Sequence, residues 1–450
     1  MNILLINHYA GGAKHGMEYR PYFMAKRWVE MGHSVTIAAS SFSHLRTKNP
    51  SMEGKKLLEE DVDGIRYVWL NGNSYQGNGV GRIRNMLSFL NGLYAHMGEI
   101  AGEGKPDVVI ASSTYPLDIY PAHKFSKKYG SMLIYEVHDL WPLSPIELGG
   151  MSPKHPYIQV MQKAENDCCK YSDYIVSLLP CSKEHFIEHG MDPEKFVCIP
   201  NGIVKADWDV PFHEPAVYSD KLGAYHADGW FLIGYTGAHG IANALDSFVE
   251  AGEKLRGKKI KLIAVGQGPE RDRLMKKVQE LHVEENVEFL PAVKRDEVPE
   301  LLAQFDALYV GLQRQPLFRF GVSPNKLMDY MMAGKPVIFA IDAGNDMVAE
   351  AGCGVSIPPE DSAAIAGAAE QLAAASKEEL TAMGERGHRF ILENYEYDVL
   401  AKKFIDVLSR RTGPRNKLQR FLECSFTKNQ EYGDGKDAFL LCGKYEKGRK

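Results

Sequence analysis

Along the chain, apolar runs of strand length alternate with stretches in which apolar positions return every three or four residues. That alternation is the signature of parallel α/β domains. The first unit is the clearest. A strand is expected over residues 3–7, then a loop carrying Gly11, Gly12 and Gly16, then a helix over 18–31 with Phe23, Trp28 and Val29 facing inward. Gly32 ends that helix and a strand follows at 35–39. Further strands are expected at 65–70, 108–111, 132–137, 174–177 and 197–199. Between 204 and 229 the periodicity lapses into mixed Pro, Asp, His and aromatic residues, which reads as a linker. It restarts with a strand at 231–235, a helix at 242–255, a strand at 260–265, a helix at 270–281 and a strand at 287–290. Strands at 306–310, 337–339 and 354–357 continue the series.

The expected organisation is therefore a domain over 1–203, a linker over 204–229, a second domain over 230–395, a helix over 396–411 and a polar tail over 412–450. Two halves of similar architecture, each an open parallel sheet, place a cleft between their loops. Ligands in such sheets bind beyond the carboxyl ends of the strands.

Composition changes this picture little. The 450 residues, 44% apolar and 25% charged, suit a globular protein of two domains. No apolar run approaches the ~18 residues needed to span a bilayer, and Met1 to Asn7 reads as a strand rather than a signal peptide, so the cytoplasm is the expected compartment. A formal net charge of −5 offers no global attraction to nucleic acid. Seven cysteines without Cys-x-x-Cys spacing, two of them adjacent at Cys168 and Cys169, argue for reduced thiols and against a disulfide or zinc framework.

Several segments carry candidate chemistry. Gly266-Gln-Gly268-Pro269 lies between a strand and a helix, where glycines let a phosphate approach backbone N–H groups; a plain tight turn explains it as well. Gly11-Gly12 calls for the same caution: a flexible glycine loop near the cleft either contacts an acceptor or merely turns. In Gly321-Val-Ser323-Pro324-Asn325-Lys326, Pro324 stands near a helix start whose first N–H groups can meet an anion. Lys326 adds a cation there, and Asp329 lies one turn on along the same face, a spacing that fits a pyrophosphate over the lysine and ribose hydroxyls on the aspartate. An ordinary surface pair is the competing reading.

His185-Phe-Ile-Glu188-His189 matches the inverted zincin pattern, which would make the chain a zinc protease. The helix it would occupy is short and Gly190 ends it, so a solvated helix end is expected instead. Asp61-x-Asp63 and Asp207-x-Asp209 are read as incidental. The segment from Gly79 to Met97 begins with Arg82 and Arg84 and continues strongly apolar; it suits either a membrane-surface helix or a core helix.

Taken together the motifs resemble glycosyltransferase family 4, the retaining GT-B enzymes, and within it the branch related to L-fucosamine transferases of bacterial surface polysaccharides. The resemblance covers roughly residues 1–400. It runs through the Gly-Gly loop, Gly32-His33-Ser-Val-Thr, Glu136-Val-His138-Asp139-Leu-Trp141-Pro142, Ile199-Pro-Asn-Gly202, Tyr235-Thr-Gly237, Val265 to Pro269, and Ser323 to Pro336. It implies two Rossmann-like domains with the active site between them, and a hexosyl-type transferase. The donor is a nucleotide sugar, expected to be UDP-linked and with an N-acetylated amino sugar as one candidate. The acceptor is a lipid-linked or oligosaccharide hydroxyl; peripheral contact with the inner membrane is the expectation attached to the segment 79–97, beside its reading as a core helix. Neither metal nor cofactor is required on this reading.

Carried over by motif, His138 and Lys326 are the expected catalytic residues. Asp329, Asn325, Ser323, Gly321, Gly266, Gly268, Ala292 and Val293 form the expected donor side, and Gly11, Gly12 and Asp139 the acceptor side. Two departures stand out. Gly321 replaces the first acid of the family's Glu-x7-Glu pattern. The loop Thr236-Gly-Ala-His239-Gly240 lacks the usual Arg and Lys, leaving His239, Arg314 or Arg319 as substitutes. A sugar-nucleotide epimerase on the same scaffold is the alternative function.

Overall fold

The computed structural model describes residues 1–16, 19–77, 79–209 and 211–410. The expected tail over 412–450, and Glu18 at the expected start of the first helix, lie outside them. Among the described residues the strands form two sheets. The first, of eight strands, comprises β1 Asn2–Ile6, β2 Ser34–Ser40, β3 Leu57–Val62, β4 Ile65–Leu70, β5 Val108–Ala111, β6 Met132–Val137, β7 Tyr174–Ser177 and β8 Phe196–Cys198, in the order β3-β4-β2-β1-β5-β6-β7-β8. The second, of six, comprises β9 Phe231–Thr236, β10 Ile260–Val265, β11 Val287–Leu290, β12 Ala307–Gly311, β13 Val337–Ala340 and β14 Gly354–Ser356, in the order β11-β10-β9-β12-β13-β14.

Every pairing is parallel except β3 with β4. β5, β6, β7, β10, β12 and β13 are buried along their whole length, as strands covered by helices on both faces must be. β3 escapes a reading by apolar runs because its sequence, Leu-Leu-Glu-Glu-Asp-Val, is largely charged. It is an edge strand, held by a hairpin at Asp63 and Gly64, both with positive φ, the primed turn whose twist matches the strands.

In each sheet the strand order reverses once, between β1 and β5 and between β9 and β12. Loops leaving the carboxyl ends of strands beside those reversals can splay apart and hold a ligand. In the first lobe they are the loops after β1, β5 and β6; in the second, those after β9, β10 and β12.

The segment 204–229, read as a linker, contains a helix at Ser219–Ala227. Its apolar face is nearly absent, with Leu222 its buried residue, which is why periodicity does not reveal it. Ile203 pairs with Glu396 in an isolated bridge. The helix Tyr397–Ser409 starts there, and its part up to Phe404 packs on the first-lobe helix Tyr19–Glu30. Trp28 Nε1 donates to the Ala401 carbonyl at 3.3 Å, and its ring meets Phe404 edge-on at 5.0 Å. The described residues 405–410 belong to a separate small unit, in which the helix continues to Ser409. Among the described residues no helix is long and apolar enough to cross a membrane.

Candidate functional site

A cavity of about 570 Å³ opens at the carboxyl ends of β9, β10 and β11. It is lined by Thr236 to Ala238, Val265 to Gly268, Ala292, Val293, Arg295, Val298, Lys326 and Asp329. Six of the expected donor-side and catalytic residues therefore share one cavity: Gly266, Gly268, Ala292, Val293, Lys326 and Asp329. Gly321, Ser323 and Asn325 do not line it. Gly321, with φ +96°, packs against Pro180 of the first lobe, where an added Cβ would meet the proline ring at 2.6 Å. Ser323 Oγ is buried without a partner, and Asn325 is exposed.

The two glycines after β10 are required by packing. A Cβ on Gly266 would sit 1.9 Å from the Gly237 carbonyl oxygen, and one on Gly268 2.4 Å from that of His239. The loops after β9 and β10 are zipped by backbone bonds, with Gly237 donating to Val265 and His239 to Gln267. Glycine here keeps the cavity floor thin.

Lys326 reaches into this floor from the helix Asn325–Met332. Its ammonium donates to Tyr235 Oη at 3.0 Å and Asn243 Oδ1 at 2.5 Å, and lies 4.6 Å from the Tyr235 ring centre. No carboxylate is among these partners, and burial lowers its pKa to about 8. The cation is thus poised for an anion to complete its environment. Asp329, buried, accepts both its bonds from Arg295, at 2.7 and 2.8 Å. A carboxylate has about four lone-pair sites, so ribose hydroxyls can still donate to it.

The three residues left open as substitutes for the missing phosphate ligands take different positions. Arg319 donates to both oxygens of Glu147 in the first lobe, at 2.8 and 2.7 Å, and Arg314 pairs with Asp342 at 3.1 Å; neither lines the cavity. His239 lies buried behind the loop with both ring nitrogens unpartnered, and burial, with Arg271 and Lys326 nearby, lowers its pKa to about 4. Arg295 is the guanidinium that does line the cavity. Sequence reading passed over it because it belongs to no motif, standing two residues beyond Val293. Asp207 and Trp208, read as linker, line an adjoining 400 Å³ cavity with Arg295. Another cavity, of about 740 Å³, lies beside Asn2, Ser34 and Pro106, at the amino ends of β1, β2 and β5, opposite the carboxyl ends where open parallel sheets bind their ligands.

In the first lobe His138 follows β6. Its Nε2 faces Ser112 Oγ at 3.0 Å and Glu136 Oε2 at 3.4 Å. Glu136 is buried and accepts from Arg20 at 3.0 and 3.1 Å. Burial pushes its carboxyl up, but Arg20, His138 and Ser112 prevail and hold it at about 2. Arg20 also donates to the carbonyls of Ile199 and Pro200, tying the Ile-Pro-Asn-Gly202 turn to this network. Asp118, buried nearby, has its carboxyl pushed up to about 7 by desolvation, against a bond from the Ser113 amide at 2.9 Å. Asp139 is exposed on the turn after His138.

Gly11 and Gly12 are both buried under Tyr67, whose hydroxyl donates to the Gly11 carbonyl at 2.7 Å. Above this end of the sheet stands an aromatic group that no motif announces. Tyr9 and Trp141 both take the Arg82 guanidinium over their rings, at 5.6 and 5.9 Å, and Tyr157 meets Trp141 edge-on at 6.4 Å.

The helix Val80–Ala95 has two apolar faces. It buries Asn85, Met86, Phe89, Leu90 and Leu93, yet leaves Val80, Ile83, Leu87 and Tyr94 exposed, Val80 by 66% and Leu87 by 50%. Of His185, Glu188 and His189, the two histidines turn inward while Glu188 is exposed.

Comparison with known proteins agrees with this layout. A sequence model described as Glycosyl transferase 4-like domain matches residues 15–202, and one described as Glycosyl transferases group 1 matches 231–375. A search of curated proteins finds no sequence match. Among solved structures, HepE of Anabaena in complex with UDP is 16% identical, with a TM-score of 0.63 over 91% of this chain and 100% of that one. Trehalose-6-phosphate from E. coli bound with UDP-2-fluoro glucose is 12% identical, with a TM-score of 0.65 over 91% and 99%. WaaG, a glycosyltransferase involved in lipopolysaccharide biosynthesis, is 16% identical, with a TM-score of 0.58 over 91% and 100%. These likenesses show a common two-sheet GT-B fold. With a 4-like domain on its first sheet and a group 1 domain on its second, the chain belongs to the glycosyltransferases.

Proposed function

We propose that the protein transfers a sugar from a UDP-linked donor to a hydroxyl of a lipid-linked or oligosaccharide acceptor, with retention of anomeric configuration. The observation that carries this reading is the 570 Å³ cavity in which an ammonium without a carboxylate partner, Lys326, shares the floor with a carboxylate, Asp329, three residues on. In this reading the uracil lies along Ala292 and Val293, the ribose hydroxyls donate to Asp329, and the diphosphate meets Lys326 and the loop at Gly237. HepE and the E. coli relative, both bound to uridine nucleotides, support the choice of base. WaaG supports an acceptor in surface-glycan synthesis.

Transfer breaks the bond between the sugar C1 and the β-phosphate oxygen and forms one from C1 to the acceptor oxygen. The acceptor proton passes to the departing diphosphate. The protein's part is to hold both substrates and stabilise the charge developing on the leaving group, through Lys326 and backbone N–H groups. His138, set in its orientation by Glu136 and Ser112, acts at the sugar end. No metal takes part in this scheme. The epimerase alternative gains no support from the family assignment.

The test is a thermal-shift screen against UDP, GDP and dTDP and their sugars, including UDP-linked N-acetylated amino sugars. Hits are then incubated with acceptor in EDTA. UDP should raise the melting temperature, since a ligand of the folded state stabilises it, and a glycoside should form in EDTA. Stabilisation by none of the nucleotides overturns the donor site. Conversion of the donor without acceptor overturns transfer in favour of epimerisation, and transfer restored only by added metal overturns the metal-free scheme.

A further inference from the structure

The His-x-x-Glu-His segment contributes its histidines, and not its glutamate, to a cluster on another helix. Glu165, from the helix Pro156–Tyr171, is 1% exposed. Its Oε1 lies 2.9 Å from His185 Nε2, and its Oε2 3.8 Å from His189 Nε2. One ligand atom from each of the three residues falls within 4.8 Å of the others. Glu188 is exposed and is not part of the cluster.

We propose that Glu165, His185 and His189 form a binding site for a divalent transition ion of the zinc type. Two imidazole nitrogens and one carboxylate oxygen are a donor set suited to such ions. Four ligands about 2.0–2.2 Å from a tetrahedral ion stand ~3.4 Å apart; the histidine nitrogens lie 2.9 and 3.8 Å from the two separate oxygens of Glu165, and one ligand atom of each residue already falls within 4.8 Å of the others, so modest side-chain movements bring one oxygen and both nitrogens onto a single ion. The fourth position is left to water.

The surroundings hold the donor atoms in place. His189 Nδ1 donates to the His185 carbonyl at 2.8 Å, which leaves the Nε2 lone pair facing Glu165. This outer bond fixes the tautomer and ring orientation, as it does for metal-bound histidines in general. Glu165 Oε2 also accepts from Gln162 at 2.8 Å, so the carboxylate itself is oriented. A buried carboxylate needs a counter-charge. The ion pairs of the described residues give Glu165 two imidazoles and no Lys or Arg, so that charge is a proton or a metal ion.

The site shares no residue with the Lys326 cavity and takes no part in the transfer step. Its place is structural. His185 packs edge-on to Phe320 at 5.4 Å, the last residue of the second-lobe turn Pro316–Phe320 that leads to Gly321, and Arg319 beside it holds Glu147. An ion would lock the helices Pro156–Tyr171 and Lys183–Glu188 together beneath that contact.

The test uses the full-length protein, stripped with chelator and titrated with Zn²⁺ against a competing chromophoric chelator, then loaded with Co²⁺ for its visible d–d absorption. Wild type should bind one equivalent, show cobalt bands and melt higher with zinc. His189→Ala and Glu165→Gln should weaken binding at least about tenfold, while Glu188→Ala should bind like wild type. His189, 24% exposed, is the variant of choice because its loss leaves folding least disturbed; circular dichroism checks each variant. Absence of stoichiometric binding in wild type, unchanged affinity in His189→Ala, or loss in Glu188→Ala overturns the proposal.

Discussion

Arg295 donates one N–H to each carboxylate oxygen of Asp329, at 2.7 and 2.8 Å, across 34 residues of sequence. Asp329 is buried while the arginine side chain is 66% exposed, so the pair forms a wall of the cavity with its cationic half towards solvent. It joins the segment after β11 to the helix Asn325–Met332, the two pieces proposed to hold base and ribose.

The first prediction follows from this pairing. Losing a hydrogen bond to a charged group costs about 1.5–3 kcal/mol, or roughly ten- to a hundred-fold in affinity. Asp329→Asn should weaken UDP and uridine alike, because the ribose is common to both. Lys326→Ala should weaken UDP by that factor and leave uridine nearly unchanged. Isothermal titration decides it, and a Lys326→Ala protein that binds UDP like wild type places the diphosphate elsewhere.

A second prediction concerns pH. Burial holds the Lys326 ammonium at about 8, below its ordinary value, and a bound diphosphate raises it again by favouring the charged form. Binding therefore takes up a proton once the free lysine has lost its own. The affinity for UDP should be flat below pH 8 and fall above it, approaching tenfold per pH unit, while uridine shows no such bend. In the ligand-free protein the sign is opposite. The depressed pKa means the unfolded chain binds more protons above pH 8, so this residue's contribution to stability rises through that range. Lys326→Arg should abolish the bend in affinity.

For His138, the contacts with Ser112 and Glu136 place a fixed imidazole at the end of β6. His138→Ala should lower kcat by about a hundredfold, the lower range for a positioned acid–base group, and leave UDP affinity within about twofold. Near-normal turnover would return the residue to a structural role.

Arg20 and Glu136 bear on stability. Both are buried, and removing one partner of such a pair typically costs about 3–5 kcal/mol. Arg20→Met should therefore lower the urea midpoint strongly, and Arg20→Met with Glu136→Leu should recover part of the loss. Glu136, held at about 2 in the folded protein, contributes stability above the ordinary glutamate range, and that contribution disappears as pH falls towards 2. The acid limb of the stability profile should flatten in Glu136→Gln.

The exposed apolar stripe Val80, Ile83, Leu87 and Tyr94 has a basic neighbour in Lys124, whose ammonium lies 5.0 Å from the Tyr94 ring centre. We expect wild type to co-sediment with anionic vesicles and Ile83→Glu with Leu87→Glu to stay in solution. A wild type that never sediments removes the membrane contact from the functional reading.

The sequence by itself determined the architecture and much of the lining of the cavity beyond β9, β10 and β11, because both rest on local signals. Apolar strands such as β10 and β12 are legible because burial on two faces demands continuous hydrophobicity, and Gly266, Gly268, Lys326 and Asp329 lie in segments whose spacing is set within one loop or one helix turn. What crosses the chain was not legible. Charged β3 is a strand only because β4 pairs with it, and Ser219–Ala227 is a helix with almost no apolar face to announce it. Arg295 meets Asp329, Arg20 meets Glu136, and Glu165 displaces Glu188 as the partner of His185 and His189, each through contacts 20 or more residues apart. Periodicity and spacing report which face a residue takes on its own element. Which residue of another element stands opposite is decided by how the sheets and helices pack, and that information exists only in the folded chain.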